Sequence, residues 1–213
     1  MRILIASDLH CDIAAARRLV DKSAEAEMVV IAGDFANQHE GLKELIGAIR
    51  DIRCPTVLVP GNNEREDALR EACEGWLGAT VLHTERTNVA GFPVYGIGCG
   101  IPPIKRDWSF DMTEDEAREK LEALHDNELT GGLLVTHSPP KGLCDEVAGE
   151  HHGSEAVLEA VRKAKPDVVV CGHIHQSWGA EATEGPTRVY NAGPEGRIVE
   201  VGPDIGGGGA DGA

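Results

Sequence analysis

The sequence predicts a layered α/β fold built around mixed sheets, and three observations lead there. Short β-branched runs alternate with amphipathic stretches along the first half of the chain. Several of these runs are apolar at every position, as in strands covered on both faces. The second half holds more strand-like runs than helical ones, which turns a plain alternation into a layered sandwich.

The elements follow in order. A first strand is read at 2–7 (RILIAS), then a helix over 12–24 and a second strand at 28–32 (MVVIA). A helix over 40–51 leads to a third strand at 56–59 (TVLV), which Pro60-Gly61 ends, and a helix over 65–74 follows. A strand is read at 93–97 (PVYGI); residues 101–112 (IPPIKRDWSFDM) are the longest irregular stretch and read as a surface loop lying over another part of the molecule. Thr113 and Glu116 stand at capping-box spacing before a helix over 114–125. A strand at 133–136 (LLVT) precedes a helix over 155–164 with Ser154 in the N-cap position. Strands at 167–171 (DVVVC), 187–191 (TRVYN) and 197–201 (RIVEV) complete the pattern. At 213 residues the chain suits one domain over 1–201, and the glycine-rich 202–213 reads as a disordered tail.

The net charge of −16 argues against a broad basic surface for nucleic acid, though not against a local positive site made by metal ions. No stretch reaches the ~20 apolar residues of a membrane span. The opening MRILIASD reads as a strand and not as a signal peptide, so a cytoplasmic location is expected. The six cysteines are scattered with no C-x-x-C pair, which suits free thiols.

The informative residues stand just past the strand ends, the crevice where open α/β sheets bind ligands. Asp8 and His10 follow the first strand, Asp34 the second, Asn62 and Asn63 the third; His137 follows 133–136, and His173 and His175 follow 167–171. Each has an ordinary reading alone: Asp34 after Gly33 as a turn residue, the two asparagines as a turn doublet, His173 and His175 as a polar strand end. Five segments carrying ligand types together argue against accident. Carboxylate, imidazole and amide oxygen on one edge make a divalent metal site. Four histidines, two aspartates and an asparagine are too many for one ion and suit two, with Asp34 bridging because it has no second ligand beside it.

The ordered set DLH, GD, GNNE, TH and GHIH resembles the calcineurin-like metallophosphoesterase superfamily, whose pattern is D-x-H, G-D, G-N-H-[DE], H and G-H-x-H. The resemblance runs from Met1 to about Gly193, with the compact prokaryotic and archaeal members most alike. It implies a four-layer αββα sandwich, two mixed sheets flanked by helices, with a dinuclear centre that hydrolyses phosphate esters. Carried over by position, Asp8, His10 and His175 would hold one ion, Asn62, His137 and His173 the other, and Asp34 would bridge them. Manganese is the first expectation, and iron, zinc, nickel or cobalt also suit these donors.

Such a centre implies attack on phosphorus by a hydroxide shared between the ions. The family pattern has a histidine after the ligand asparagine; here Asn63 takes its place and offers a phosphate or leaving-group hydrogen bond, but no proton near pH 7. General acid catalysis typically contributes ~10²–10⁴-fold, so its lack favours good leaving groups and leans toward diesters over monoesters. His39, His151 and His152 are the candidates to substitute for it. His152, Gly153 and Ser154 open a helix whose amides are expected to bind substrate phosphate, and Glu64 is expected to orient Asn63 or cap the next helix. The alternatives on this fold are a phosphomonoesterase or nucleotide phosphatase, and an interaction scaffold without activity. The expected partner is a small phosphate ester, with no membrane and no extended nucleic acid; a homo-oligomer is left open.

Overall fold

A computed structural model of the chain describes residues 1–89, 91–124 and 131–202. The first half runs β1 (Arg2–Ala6), α1 (Ile13–Ser23), β2 (Met28–Ala32), α2 (Leu42–Ile49), β3 (Thr56–Val59), α3 (Glu66–Ala72) and β4 (Ala79–Val81). The second half runs β5 (Glu85–Val89), β6 (Phe92–Ile97), α4 (Glu114–Leu124), β7 (Leu133–Thr136), β8 (Glu146–Val147), β9 (Glu150–His151), α5 (Glu155–Ala164) and β10 (Val168–Cys171). A 3-10 turn (His175–Ser177) then leads to β11 (Glu181–Glu184), β12 (Thr187–Asn191) and β13 (Arg197–Glu200).

Two mixed sheets carry the fold. The first has the order β13-β1-β2-β3-β4, parallel except for β13, which pairs antiparallel with β1 and brings the chain back from the second sheet. The second has the order β11-β12-β10-β7-β6-β5, with parallel pairs inside and antiparallel pairs at both edges. Alternation along each strand separates three cores. Ile3, Ile5, Val30 and Val59 meet Val94, Val135, Val168 and Val170 between the sheets. Leu4, Ile31 and Leu58 face Leu19, Leu45, Ile46 and Leu69 of α1–α3, and Ile97, Leu134 and Val169 face Ala117, Val157 and Val161 of α4 and α5. Helices therefore cover both outer faces, giving four layers, and the inner strands are apolar throughout because both their faces are buried.

The helix starts follow their capping chemistry. Asp12 accepts from the amides of Ala14 and Ala15, Ser154 from Val157, and Thr113 exchanges hydrogen bonds with Glu116. The six cysteines are all free thiols. Among the described residues no helix is long and apolar enough to cross a membrane.

Strands β4, β5, β8, β9 and β11 are absent from the sequence reading. β8 and β9 have only two residues each, while β4, β5 and β11 are edge strands of the two large sheets. Their sequences, ATV, ERTNV and EATE, are short or polar because water covers one side, so no apolar run marks them. The end of the helix read to 125, and 203–213 of the expected tail, lie outside the described residues.

Leu58 is fully buried on β3, directly before the turn that carries Asn62. Leu58→Ala should cost about 2–5 kcal/mol, read as a lowered urea midpoint with the denaturant slope unchanged.

Candidate metal centre

The ends of β1, β2, β3, β7 and β10 deliver all seven of the expected donors to one place. Asp8, His10, Asp34 and His175 bring one donor atom each to within 4.8 Å of one another, and so do Asp34, His137 and His173. Asn62 joins the second group, with Oδ1 3.1 Å from His137 Nε2 and 3.0 Å from His173 Nδ1. Asp34 belongs to both groups: Oδ2 lies 3.5 Å from His10 Nε2, and Oδ1 lies 3.4 Å from His137 Nε2. The second group is sunk in the molecule, the His137 side chain having no exposure, while those of His10 and His175 are 22% and 46% exposed.

Backbone geometry holds these side chains at some cost. Asp8 (φ 54°), His10 (φ 42°), Asp34 (φ 57°) and His173 (φ 66°) all stand in the left-handed region, which side-chain-bearing residues enter at about 1–3 kcal/mol each. Hydrogen bonds between loops stabilise it: Asp8 N–H donates to Gly33 O and His10 N–H to Asp34 O, both at 2.9 Å. Gly33 (φ 87°) is required on two counts, since a Cβ there would come within 2.6 Å of Gly61 Cα and His137 Nδ1. Gly61 is needed for room and not for handedness; its φ is not positive, and a Cβ would overlap Asp34.

The ring nitrogens fit a cation. His137 Nδ1 lies 2.8 Å from Ala32 O, and His10 Nδ1 lies 3.2 Å from Ala36 O. A carbonyl only accepts, so Nδ1 carries the proton in each ring and Nε2 turns a lone pair into the cluster. There His10 Nε2 faces His175 Nε2 at 3.1 Å, and His137 Nε2 faces His173 Nδ1 at 3.1 Å. Lone pairs so close repel unless a proton or a metal ion lies between them. Nitrogen and oxygen donors in this number suit divalent ions of the manganese-to-zinc series.

Without metal, protons take that role. Burial opposes charge on His137, but the Asp34 carboxylate beside it and its hydrogen bond prevail and push the pKa up to about 9. Burial likewise works to raise the Asp34 pKa, yet His137 and then His10 hold it below the usual carboxylate range. Burial, then the neighbouring His137 charge, brings His173 down to about 3. Burial also raises Asp8 and lowers His175.

Other residues near the centre depart from expectation. Glu64 neither orients Asn63 nor caps α3: its buried carboxylate accepts the amides of Gly61 (2.5 Å), Asp34 (2.9 Å), Phe35 and Ala36 (3.0 Å each). Burial first, then the Asp34 charge, pushes its pKa up to about 7 against the pull of those amides. Asn63 does not present its amide outward as a phosphate contact. Its Nδ2 donates to Asp34 Oδ2 at 2.8 Å, and its Oδ1 accepts from Gln38 N–H at 2.9 Å, so it braces Asp34. His152, Gly153 and Ser154 are not joined to the donor cluster. The Glu114 carboxylate already takes the α5 N-terminus, accepting from Ser154 Oγ and from the amides of Glu155 and Ala156, while Gly153 N–H donates to Asp145. An internal anion thus fills the place expected for phosphate. The loop over 101–112 lies on Asn62, as Phe110 N–H donates to Asn62 O and Asn62 Nδ2 donates to Ser109 Oγ at 3.1 Å. Ser109 in turn donates to Asp111 at 2.6 Å, which aims the Asn62 oxygen at the histidines. No spacing rule singles out Ser109, because its tie to Asn62 spans 47 positions.

Two mixed sheets thus gather metal-type donors at the ends of their inner strands. The chain belongs to the calcineurin-like phosphoesterases, whose family model matches residues 1–177. A UPF0046 protein of Caenorhabditis elegans is 25% identical over 186 residues, covering 79% of this chain and 62% of that protein. The human metallophosphoesterase domain-containing protein 1 is 30% identical over 139 residues, covering 63% of this chain and 39% of that protein. The chain thus spans less than two thirds of the length of either relative. The fold matches that of a phosphopantetheinyl hydrolase from Mycobacterium tuberculosis, with TM-score 0.68, 15% identity, and coverage of 97% of this chain and 98% of that one. A dimetal phosphatase from Danio rerio is also similar, with TM-score 0.62, 12% identity, and coverage of 91% of this chain and 88% of that one.

Glu64→Ala would strand four buried amides, each worth about 1–3 kcal/mol when left unsatisfied. We expect a loss of about 3 kcal/mol or more by urea unfolding, together with lost uptake of manganese by equilibrium dialysis. Glu64→Gln, which keeps an acceptor oxygen, should fall between.

Proposed function

We propose that this chain is a metal-dependent phosphoesterase acting on small phosphate esters, diesters in preference to monoesters. In this reading Asp8, His10 and His175 hold one divalent ion, Asn62, His137 and His173 hold a second, and Asp34 is shared. The observation that carries it is the Asp34 carboxylate, which turns one oxygen to each donor group. Manganese is the first choice of metal, with iron, zinc, nickel or cobalt as the others these donors suit. Bound there, two such ions would supply Lewis-acid charge for the phosphate oxygens and would lower the pKa of a water that serves as nucleophile.

The chain's own residues do the rest. The exposed His10 and His175 mark the side from which an ester approaches, since His137 is closed off from solvent. Asn63 keeps Asp34 turned between the two groups. Its carboxamide holds no proton that it can transfer near neutral pH, so the departing oxygen gets none from this position. That supports substrates whose leaving group departs without help, and it supports the preference for diesters.

The direct test is paired rates on an aryl phosphodiester and the matching monoester, using manganese-reconstituted protein. The diester should be faster. Asp34→Ala should lower both rates by more than the ~10–100-fold typical of losing a group behind the ligands, with bound metal falling below two ions per chain. An Asp34→Ala protein with full metal content and full rate would overturn the assignment.

Metal uptake should also depend on pH in a defined direction. The His137 proton stabilises the metal-free fold fully below its ordinary 6.5 and is lost as pH rises through about 9. Neutral Nε2 is needed to take an ion, so affinity should rise about tenfold per pH unit for one displaced proton and flatten above about 9. Calorimetric titrations in buffers of different ionisation heat check this, by showing one proton released per chain at neutral pH.

A further inference from the structure

On its open side the centre carries an aromatic side chain that no motif assigns. Trp178 donates its indole N–H to Asp8 Oδ2 at 3.0 Å. Its ring also stands 4.4 Å from the His175 ring, inclined by only 31°. Gly193 makes space for it, since a Cβ there would lie 2.9 Å from Trp178 Cβ.

The ring contact falls where support is otherwise thin, and the N–H bond adds to those that already hold Asp8. His10 and His137 have their second ring nitrogen fixed by a backbone carbonyl, the usual way a ligand imidazole is oriented. His175 has no such bond: among the described residues its polar contacts are made at Nε2, with His10 at 3.1 Å and Asp8 Oδ1 at 3.8 Å. Its ring is the most exposed of the group, and the Trp178 face restricts its rotation. Asp8 needs orienting too. Ser7 Oγ and Trp178 Nε1 both donate to Oδ2, the His173 N–H donates to Oδ1 at 3.0 Å, and Oδ1 lies 3.8 Å from His175 Nε2.

We propose that Trp178 is a positioning residue for the Asp8–His10–His175 half of the centre, fixing the Asp8 carboxylate through its N–H and the His175 imidazole through its ring. This rests on the two-ion reading. It makes the halves unlike: the His137 half is held by buried hydrogen bonds, while in the open half the His175 ring is held by the indole face.

The test is a stepwise titration of the full chain with manganese, followed by bound-metal content and by tryptophan fluorescence. Trp178→Phe keeps a ring face and loses the N–H; Trp178→Ala loses both. In the unaltered chain we expect two steps, with the weaker one quenching fluorescence because a paramagnetic ion then lies beside Trp178. Trp178→Ala should raise the dissociation constant of the weaker step about 10-fold or more, Trp178→Phe should raise it less, and neither should move the tighter step. The quench should vanish in Trp178→Phe even where the ion still binds, since Trp76 and Trp108 remain. Should Trp178→Ala not fold, Trp178→Phe alone decides, through its shifted weaker step. Two steps at unaltered affinity in the variants overturn the proposal. An unaltered chain that takes up no ions overturns the metal-centre reading itself, and this proposal with it.

Discussion

Four backbone N–H groups, from Gly61, Asp34, Phe35 and Ala36, converge on the two oxygens of the buried Glu64 carboxylate. This clasp joins the turn after β2 to the turn after β3, so that Asp34 and Asn62 keep one spacing. A buried amide without a partner is costly, and the clasp satisfies four of them at once. It also explains the glycines: the two turns approach so closely that a side chain at Gly33 or Gly61 would displace the neighbouring turn. The left-handed backbone at Asp8, His10 and Asp34 persists because these loops are hydrogen-bonded to one another as well as to themselves.

Around that frame the electrostatics are arranged for cations. A carboxylate as buried as Asp34 stays charged because His137 and His10 face it, and His137 keeps its proton because that carboxylate lies beside it. Remove the protons and the nitrogens point lone pairs at one another. In the proposed reading, ions held by these convergent donors would let a chain of net charge −16 take an anionic ester, because they and not the surface would set the field at the site.

The fold was legible where burial on two faces writes an apolar run, as in β1, β2, β3, β7 and β10. It was illegible at three of the four edges of the two large sheets, β4, β5 and β11, where ATV, ERTNV and EATE carry no such mark. The site shows the same division. The donor residues follow their strands within a few positions, so local order revealed them. Glu64 was recognised as important, but its task was misread because it binds across 30 positions to the turn after β2, and the tie of Asn63 to that turn went unseen for the same reason. The α5 N-terminus was read as an anion site, and the chemistry was right, yet its anion is Glu114 from a helix 40 positions away.

Residue types and strand-end spacing alone determined the layered architecture, the seven donors and the absence of a histidine at position 63. Those features are local, since a strand end places whatever follows it within two or three residues. Only the tertiary structure decided that Asp34 divides its oxygens between two donor groups, that Asn63 braces it, and that Trp178 leans on Asp8 and His175. Each of these depends on loops from different strands meeting in space, and contacts across such distances leave no periodicity along the chain.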